Sequence, residues 1–379
     1  MEDRSATRND GYFLYHSIGQ YPEKGKDLAE SASRFAQVWS AINDQQWGYL
    51  LEQRAEFIRL WSELIKAEAG AVTSCENVTQ AMHMLITSLP AELLKGKKVL
   101  VAEDCFPSNH FLLKGLQKRL GFKLETVALR QGASWVADVD FIAQWDSDVA
   151  LALITWVSST TSHKSNLERL VAHGRAMGSL VGVDITQAAG LLPYSVVEPV
   201  VDFAISTSLK WMCGTPGAGI LYVRPDLIKD CQPEVRGWFS QDNPFNWSLD
   251  TFAYADDIRR FDNGTPSIVS AASTVPALKW HAALDEAALL GHNRRLCEVI
   301  LNAIDQSNLQ LISPRGEAER GGSVMVRFAN SDESTAFLEE MRARDLYADC
   351  RGPILRLSPG VVTSMAATIE LAELLKEQS

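Results

Sequence analysis

Long apolar runs are missing from this sequence of 379 residues: none reaches the roughly 18 residues that a membrane-spanning helix requires. The opening stretch, Met1 to Asp10, is polar and mixed in charge and lacks the apolar centre of a secretory signal. Basic residues are also in short supply. Lys and Arg number 36 against 47 Asp and Glu, and the formal net charge of -11 argues against a nucleic-acid backbone or an anionic membrane as the main partner, because both require a basic face. The local run Lys95-Gly-Lys-Lys98 reads as the solvated end of a helix. Six cysteines, at positions 75, 105, 213, 231, 297 and 350, show no paired metal-ligand spacing. They read as free thiols in a reducing compartment, so the expectation is a cytoplasmic protein without a metal site. No repeat or low-complexity linker is present, and Gly and Pro punctuate the chain singly.

What the sequence does hold is apolar side chains, 46% of its residues against 22% charged. Its length exceeds one hydrophobic core, which predicts a large domain with a smaller companion. From Leu28 to Ala69 apolar residues recur at helical spacing and predict two amphipathic helices. Short Val, Ile and Leu runs then alternate with amphipathic stretches. Strands are predicted at 98–102, 123–127, 149–154, 180–184, 203–206 and 218–223, with helices at 109–120 and 166–177 between them. This alternation implies a mostly parallel, doubly wound α/β sheet. A linking helix over 275–290 leads into a small α+β unit, with strands near 322–328 and 354–357 and helices at 331–344 and 365–376. The expected division is an N-terminal segment (1–30) packing on the small domain or the active site, a large domain (31–280) and a small C-terminal domain (281–379).

Two residues carry the chemistry. Asp184 closes an apolar strand, and in an α/β sheet ligands bind beyond the carboxyl ends of the strands. Taken alone it reads equally as the N-cap of a following helix. Lys210 follows the next strand in an apolar, hydroxyl-rich stretch and precedes the Gly-rich segment Trp211 to Gly219. Desolvation lowers the pKa of such an amine toward nucleophilicity, although a lysine at a strand end is more often simply solvated. The pair says more than either member. Pyridoxal phosphate needs a lysine for its imine and an acid that keeps its ring nitrogen protonated, so that the ring acts as an electron sink. Asp184 and Lys210, at the ends of successive strands, meet that need.

Val183-Asp-Ile-Thr-Gln-Ala-Ala-Gly190 followed by Asp202-Phe-Ala-Ile-Ser-Thr-Ser-Leu-Lys210 resembles the signature of the class V aminotransferases. These are pyridoxal-phosphate enzymes of the aspartate-aminotransferase fold (fold type I), and the sequence is most similar to their kynureninase branch, from about Tyr12 to the C-terminus. The resemblance implies roles for further residues. Tyr15-His-Ser-Ile-Gly19 resembles the entrance motif, which puts Ser17 at the substrate. Val72-Thr-Ser-Cys-Glu-Asn77 resembles the phosphate-holding turn, implying Ser74 and Cys75 there, and a turn that opens a helix offers free N–H groups. Cys105-Phe-Pro-Ser-Asn109 implies Phe106 stacked on the pyridine ring, with Asn109 beside it where the family usually has Asp. Arg236-Gly-Trp238 implies a phosphate contact from Trp238. Arg259 to Pro266 implies that Thr265 reaches the cofactor of the other subunit, and hence a homodimer with shared sites. Asp349-Cys-Arg-Gly-Pro-Ile-Leu-Arg356-Leu-Ser-Pro implies Arg356 as the partner of the substrate carboxylate, a task that suits a guanidinium fork.

Two positions depart from the kynureninase pattern. Leu209 stands where a tyrosine precedes the lysine, and Gln187, a cofactor neighbour, stands where a histidine is usual. Cys350 is the one cysteine near the C-terminal position that a cysteine desulfurase needs. The expected activity is cleavage of an amino acid at its β-carbon, of kynureninase type, with Lys210 and Asp184 catalytic. The alternatives are β-elimination or desulfuration, epimerisation, transamination, or a noncatalytic protein that keeps the fold.

Overall fold

A computed structural model describes residues 9–378. Seven strands form the main sheet: β1 (Val72–Cys75), β2 (Lys98–Ala102), β3 (Lys123–Val127), β4 (Val149–Thr155), β5 (Leu180–Asp184), β6 (Phe203–Thr207) and β7 (Gly219–Val223). Their order is β1-β7-β6-β5-β4-β2-β3. Strands β6, β5, β4, β2 and β3 are parallel neighbours, while β7 runs antiparallel to β6 and β1 antiparallel to β7. Every residue of β6 and β7 is buried because both faces are covered. Alternate side chains serve two cores, as the two-residue period of a strand requires. Leu100, Val181, Val183 and Ile220 face Phe57, Trp61 and Leu278, whereas Val99, Val101, Leu151 and Ile205 face Met82, Leu85 and Leu113.

The predicted alternation is borne out, with one strand added. Val72–Cys75, expected as a turn, is an edge strand held by β7, because the apolar partner Ile220 and its neighbours supply a ladder that Thr73 and Ser74 do not advertise. The single helix expected over 275–290 is two helices, Val269–Ala282 and Glu286–Ile304, since Asp285 caps the second by accepting from Ala287 N–H. Among the described residues no helix is long and apolar enough to cross a membrane.

A second, antiparallel sheet comprises β8 (Gln310–Leu311), β9 (Val324–Arg327), β10 (Asp349–Arg351) and β11 (Ile354–Leu357), in the order β10-β11-β9-β8. Helices Glu286–Ile304, Ser331–Ala343 and Met365–Lys376 supply its core with Leu301, Phe337 and Leu371. The β10–β11 hairpin turns at Gly352, whose φ of 55° favours glycine, and its register sets Asp349 opposite Arg356. Residues 11–19 join the two sheets. Phe13 N–H donates to Tyr347 O (2.8 Å) and Tyr15 N–H to Ser358 O (3.3 Å), and Gly19 N–H donates to Leu209 O (2.9 Å). A Cβ on Gly19 would lie 1.9 Å from Lys210 O, so only glycine lets the segment pass.

Candidate active site

The carboxyl ends of β4, β5 and β6 deliver Thr155, Asp184 and Thr207 to one cavity of about 270 Å³, which Lys210 enters from the loop after β6. Asp184 is buried. Its Oδ2 accepts from Asn109 Nδ2 (3.0 Å) and its Oδ1 from Thr186 N–H (3.0 Å), so both oxygens are oriented. Burial pushes the Lys210 amine down to about 8, against the Asp184 carboxylate, which pulls it up; the Arg356 guanidinium adds to the lowering. The amine lies 5.2 Å from the centre of the Phe106 ring, and Phe106, on the cavity wall, remains 40% exposed.

The floor of the cavity is a helix start. Asn77 caps helix Val78–Ile86 by accepting from Gln80 N–H (2.9 Å), and Asn77, Val78 and Thr79 line the cavity with the unsatisfied N–H groups of a first turn. Ser74 and Cys75, expected there, lie elsewhere. They line a separate cavity of about 420 Å³ with Thr265, Arg54 and Asp262. Ser74 Oγ accepts from Arg54 Nε (2.8 Å), Arg54 pairs with Asp262 (2.6 Å), and burial pushes the Cys75 thiol up to about 12. The displacement follows from β1: residues 72–75 are consumed by pairing, so the chain turns into the helix only at Glu76 and Asn77.

Gln187 lines the Lys210 cavity with its amide held at both ends, donating to His16 O (3.0 Å) and accepting from Trp211 Nε1 (3.2 Å). Leu209 contributes apolar wall. Trp238 is not among the residues of this cavity. It packs in a surface aromatic cluster with Trp47, Phe239 and Trp247, the last 74% exposed. Ser17 also lies off the cavity wall, and its neighbour His16 makes the polar contacts instead.

Arg356 sits behind Ser159, a cavity residue, with Nη1 3.4 Å from Ser159 O. Its side edge is occupied: Nε donates to Asp349 Oδ1 (2.8 Å) and Nη2 to Asp349 Oδ2. Burial would raise the Asp349 carboxyl, yet bonds from His16 and Arg356 outweigh it and hold the group well below the usual carboxylate range. His16 Nε2 lies 2.9 Å from Asp349 Oδ1 and its Nδ1 2.7 Å from Ser358 Oγ, while burial holds its pKa below the ordinary histidine value.

Sequence reasoning missed Asn77, Thr155, Thr186, Ser159, His16 and Asp349. His16 and Asp349 stand inside segments already singled out. An acid seven residues before an arginine, with Gly-Pro midway, is the signature of a hairpin that would oppose them.

The cavity fits pyridoxal phosphate on observations of its own. Thr155 Oγ1, Thr186 Oγ1 and Asn109 Oδ1 are buried without a hydrogen-bond partner in the protein, and the first two line the cavity. With them stand an acid, a depressed amine, an available aromatic face and a helix start, which are the groups that ring nitrogen, aldehyde, ring and phosphate require.

Comparison with known proteins agrees. The family model described as Aminotransferase class-V matches residues 50–343. An uncharacterized aminotransferase of Bacillus subtilis, YcbU, is 26% identical over 338 residues, covering 88% of this chain and 86% of that protein. A kynureninase of Deinococcus radiodurans is 26% identical over 353 residues, covering 88% and 83%. Among solved structures, the cysteine desulfurase of Thermococcus onnurineus superposes with a TM-score of 0.83 at 18% identity, covering 100% of this chain and 98% of its own. The cystine C–S lyase C-DES superposes with a TM-score of 0.85 at 17% identity, covering 97% and 98%. At these identities the superpositions establish the fold, which is that of the fold type I enzymes. With its matched family model and its fitted cavity, the chain belongs to the class V aminotransferases, whose cofactor is pyridoxal 5'-phosphate.

Proposed function

We propose that this protein is a pyridoxal-phosphate enzyme that holds an amino acid by its α-carboxylate and cleaves it at the β-carbon, in the manner of a kynureninase. The observation that carries the reading is the depressed amine of Lys210 in one cavity with Asp184, with Arg356 within electrostatic reach behind Ser159. Asp184 and Asn109 would hold the ring nitrogen, Phe106 the ring face, and the N–H groups of Val78 and Thr79 the phosphate. Bound there, the cofactor supplies an electron sink for charge that develops at the substrate α-carbon. Lys210, once released by substrate, takes the α-proton and can return a proton to the β-carbon. In the hydrolysis itself water adds to the side-chain carbonyl, the Cβ–Cγ bond breaks, and a carboxylic acid leaves with alanine as the other product. Val157 and Leu209 offer an apolar wall to a flat, neutral side chain.

A desulfurase reading lacks its nucleophile. Cys350 lies in β10, paired with Leu355, and donates to Ser334 O (3.6 Å); burial pushes its pKa up. Incubating the holoenzyme with kynurenine, 3-hydroxykynurenine, cysteine and a panel of amino acids, with products identified by mass, tests the proposal. Anthranilate or its hydroxylated form together with alanine is the expected result. Sulfide from cysteine alone, or oxo acids alone, would replace it with desulfuration or transamination.

A further inference from the structure

We propose that Asp349, steadied by His16, is the positioning residue that aims Arg356 at the substrate carboxylate. The inference rests on the reading of Arg356 given above and adds how it is aimed. A guanidinium has two edges that can grip a carboxylate: the side edge, Nε with one Nη, and the end formed by both Nη atoms. Asp349 takes the side edge with both of its oxygens. At the end edge Asp349 takes no bond, and Nη1 donates only a long one (3.4 Å) to the carbonyl of Ser159 on the wall of the Lys210 cavity, which a carboxylate there would replace. An incoming carboxylate therefore meets the end edge without displacing Asp349.

The hairpin makes this arrangement rigid. Asp349 and Arg356 are register partners across β10 and β11. His16 Nε2 shares Oδ1 of Asp349 (2.9 Å), and the other face of its ring is fixed through Ser358 Oγ (2.7 Å), which in turn meets Ser323 Oγ (2.6 Å). His16 is 2% exposed and Arg356 6%, and the hydrogen bonds just named hold both side chains. The main-chain carbonyl of His16 also accepts from Gln187, which ties this cluster to the cavity that holds Asp184. Asp349 carries a second consequence. Its charge balances Arg356, so the site attracts one carboxylate through directed hydrogen bonds rather than through an unpaired charge, and it disfavours amino acids with a second carboxylate near the first.

The experiment measures the affinity of holoenzyme for propionate and for propionamide, followed by the change in the bound cofactor's absorbance, in the wild type, Asp349→Asn, Arg356→Gln, the double variant and His16→Phe. Asp349→Asn should reduce the preference for propionate over propionamide about tenfold, His16→Phe about threefold in the same direction, and Arg356→Gln should abolish it. In the Arg356→Gln background Asp349→Asn should add nothing, because an aiming residue has no effect once its target is gone. Tighter propionate binding by Asp349→Asn would mean that Asp349 merely competes for the guanidinium and would overturn the proposal. Equal losses for acid and amide, or additive losses in the double variant, would reduce Asp349 to a strut. A preference that survives in Arg356→Gln would instead sink the assignment of Arg356 itself. Should Asp349→Asn fail to fold, His16→Phe alone decides: no loss of preference overturns the aiming role.

Discussion

At the scale of single side chains, the cost of the site is concentrated in Lys210. Its amine is lowered from 10.5 to about 8, chiefly by burial. Below pH 8 the native state holds a buried charge; between about 8 and 10.5 the unfolded chain binds a proton that the native chain does not, so stability rises with pH across that window. The apoprotein of Lys210→Met should therefore melt above the wild-type apoprotein at pH 7, by no more than about 3 kcal/mol in stability. That advantage should shrink as pH passes from about 8 to 10.5, which calorimetry at a series of pH values would reveal. The same shift sets a kinetic expectation: the rate at which apoprotein captures added pyridoxal phosphate should rise with pH and level off above about 8, since only the neutral amine reacts. A rate independent of pH would contradict it. Lys210 and Asp184 could be picked out because each stands at the end of an apolar strand, whereas Phe106 and Asn109 came only from the resemblance to the kynureninases. Ser74 and Cys75 were not placed correctly, because nothing in Thr73-Ser74 announces a strand and the pairing that consumes them comes from β7, far along the chain. His16 and Asp349 escaped because their partners, Ser358 and Arg356, are identified only by the register of a hairpin and by a strap from the other end of the chain.

Among the elements, β5 bears the tightest constraint. Gly182 sits opposite Phe203 in the parallel β5–β6 pair, and a Cβ there would fall 1.8 Å from the Phe203 ring. Two residues later the strand ends in Asp184. Gly182→Ala should cost about 1–3 kcal/mol through overpacking and, by shifting β5, weaken cofactor retention. Urea unfolding and a cofactor-release assay would check both, and partial rescue by Phe203→Leu would identify the ring as the cause. Elements of this kind were readable in advance: β2 and β4 to β7 are short apolar runs, and their burial on both faces leaves little choice of conformation. The break at 283–285 was not, because Ala282-Ala-Leu284 continues the apolar rhythm and only the capping bond of Asp285 ends it. The two-residue β8 is too short to leave a pattern, and the three-residue β10 shows itself only through the Gly-Pro turn it shares with β11.

For the whole molecule, two features bear on assembly. Trp47, Phe245 and Trp247 form an exposed aromatic surface around the half-buried Trp238, and Thr265 lies exposed beside the cavity that holds Ser74. We propose that a second copy of the chain covers this region and that Thr265 reaches its partner's cofactor. Mixing Lys210→Ala chains with Thr265→Arg chains, each inactive alone, should then restore activity, because the mixed dimer contains one site with both residues intact. No recovery after unfolding and joint refolding would argue for self-contained sites. Trp247→Glu should shift sedimentation toward the single chain.

The strap formed by residues 11–19 ends its course at Leu209 after fastening itself to Tyr347 and Ser358. It thus acts as a tie-rod between the hairpin that bears Arg356 and the loop that bears Lys210, and the reach between those two cations is calibrated by a stretch of chain belonging to neither sheet. Lengthening that rod by a single inserted residue would leave both sheets folded and yet mistune the span across which an amino acid must fit.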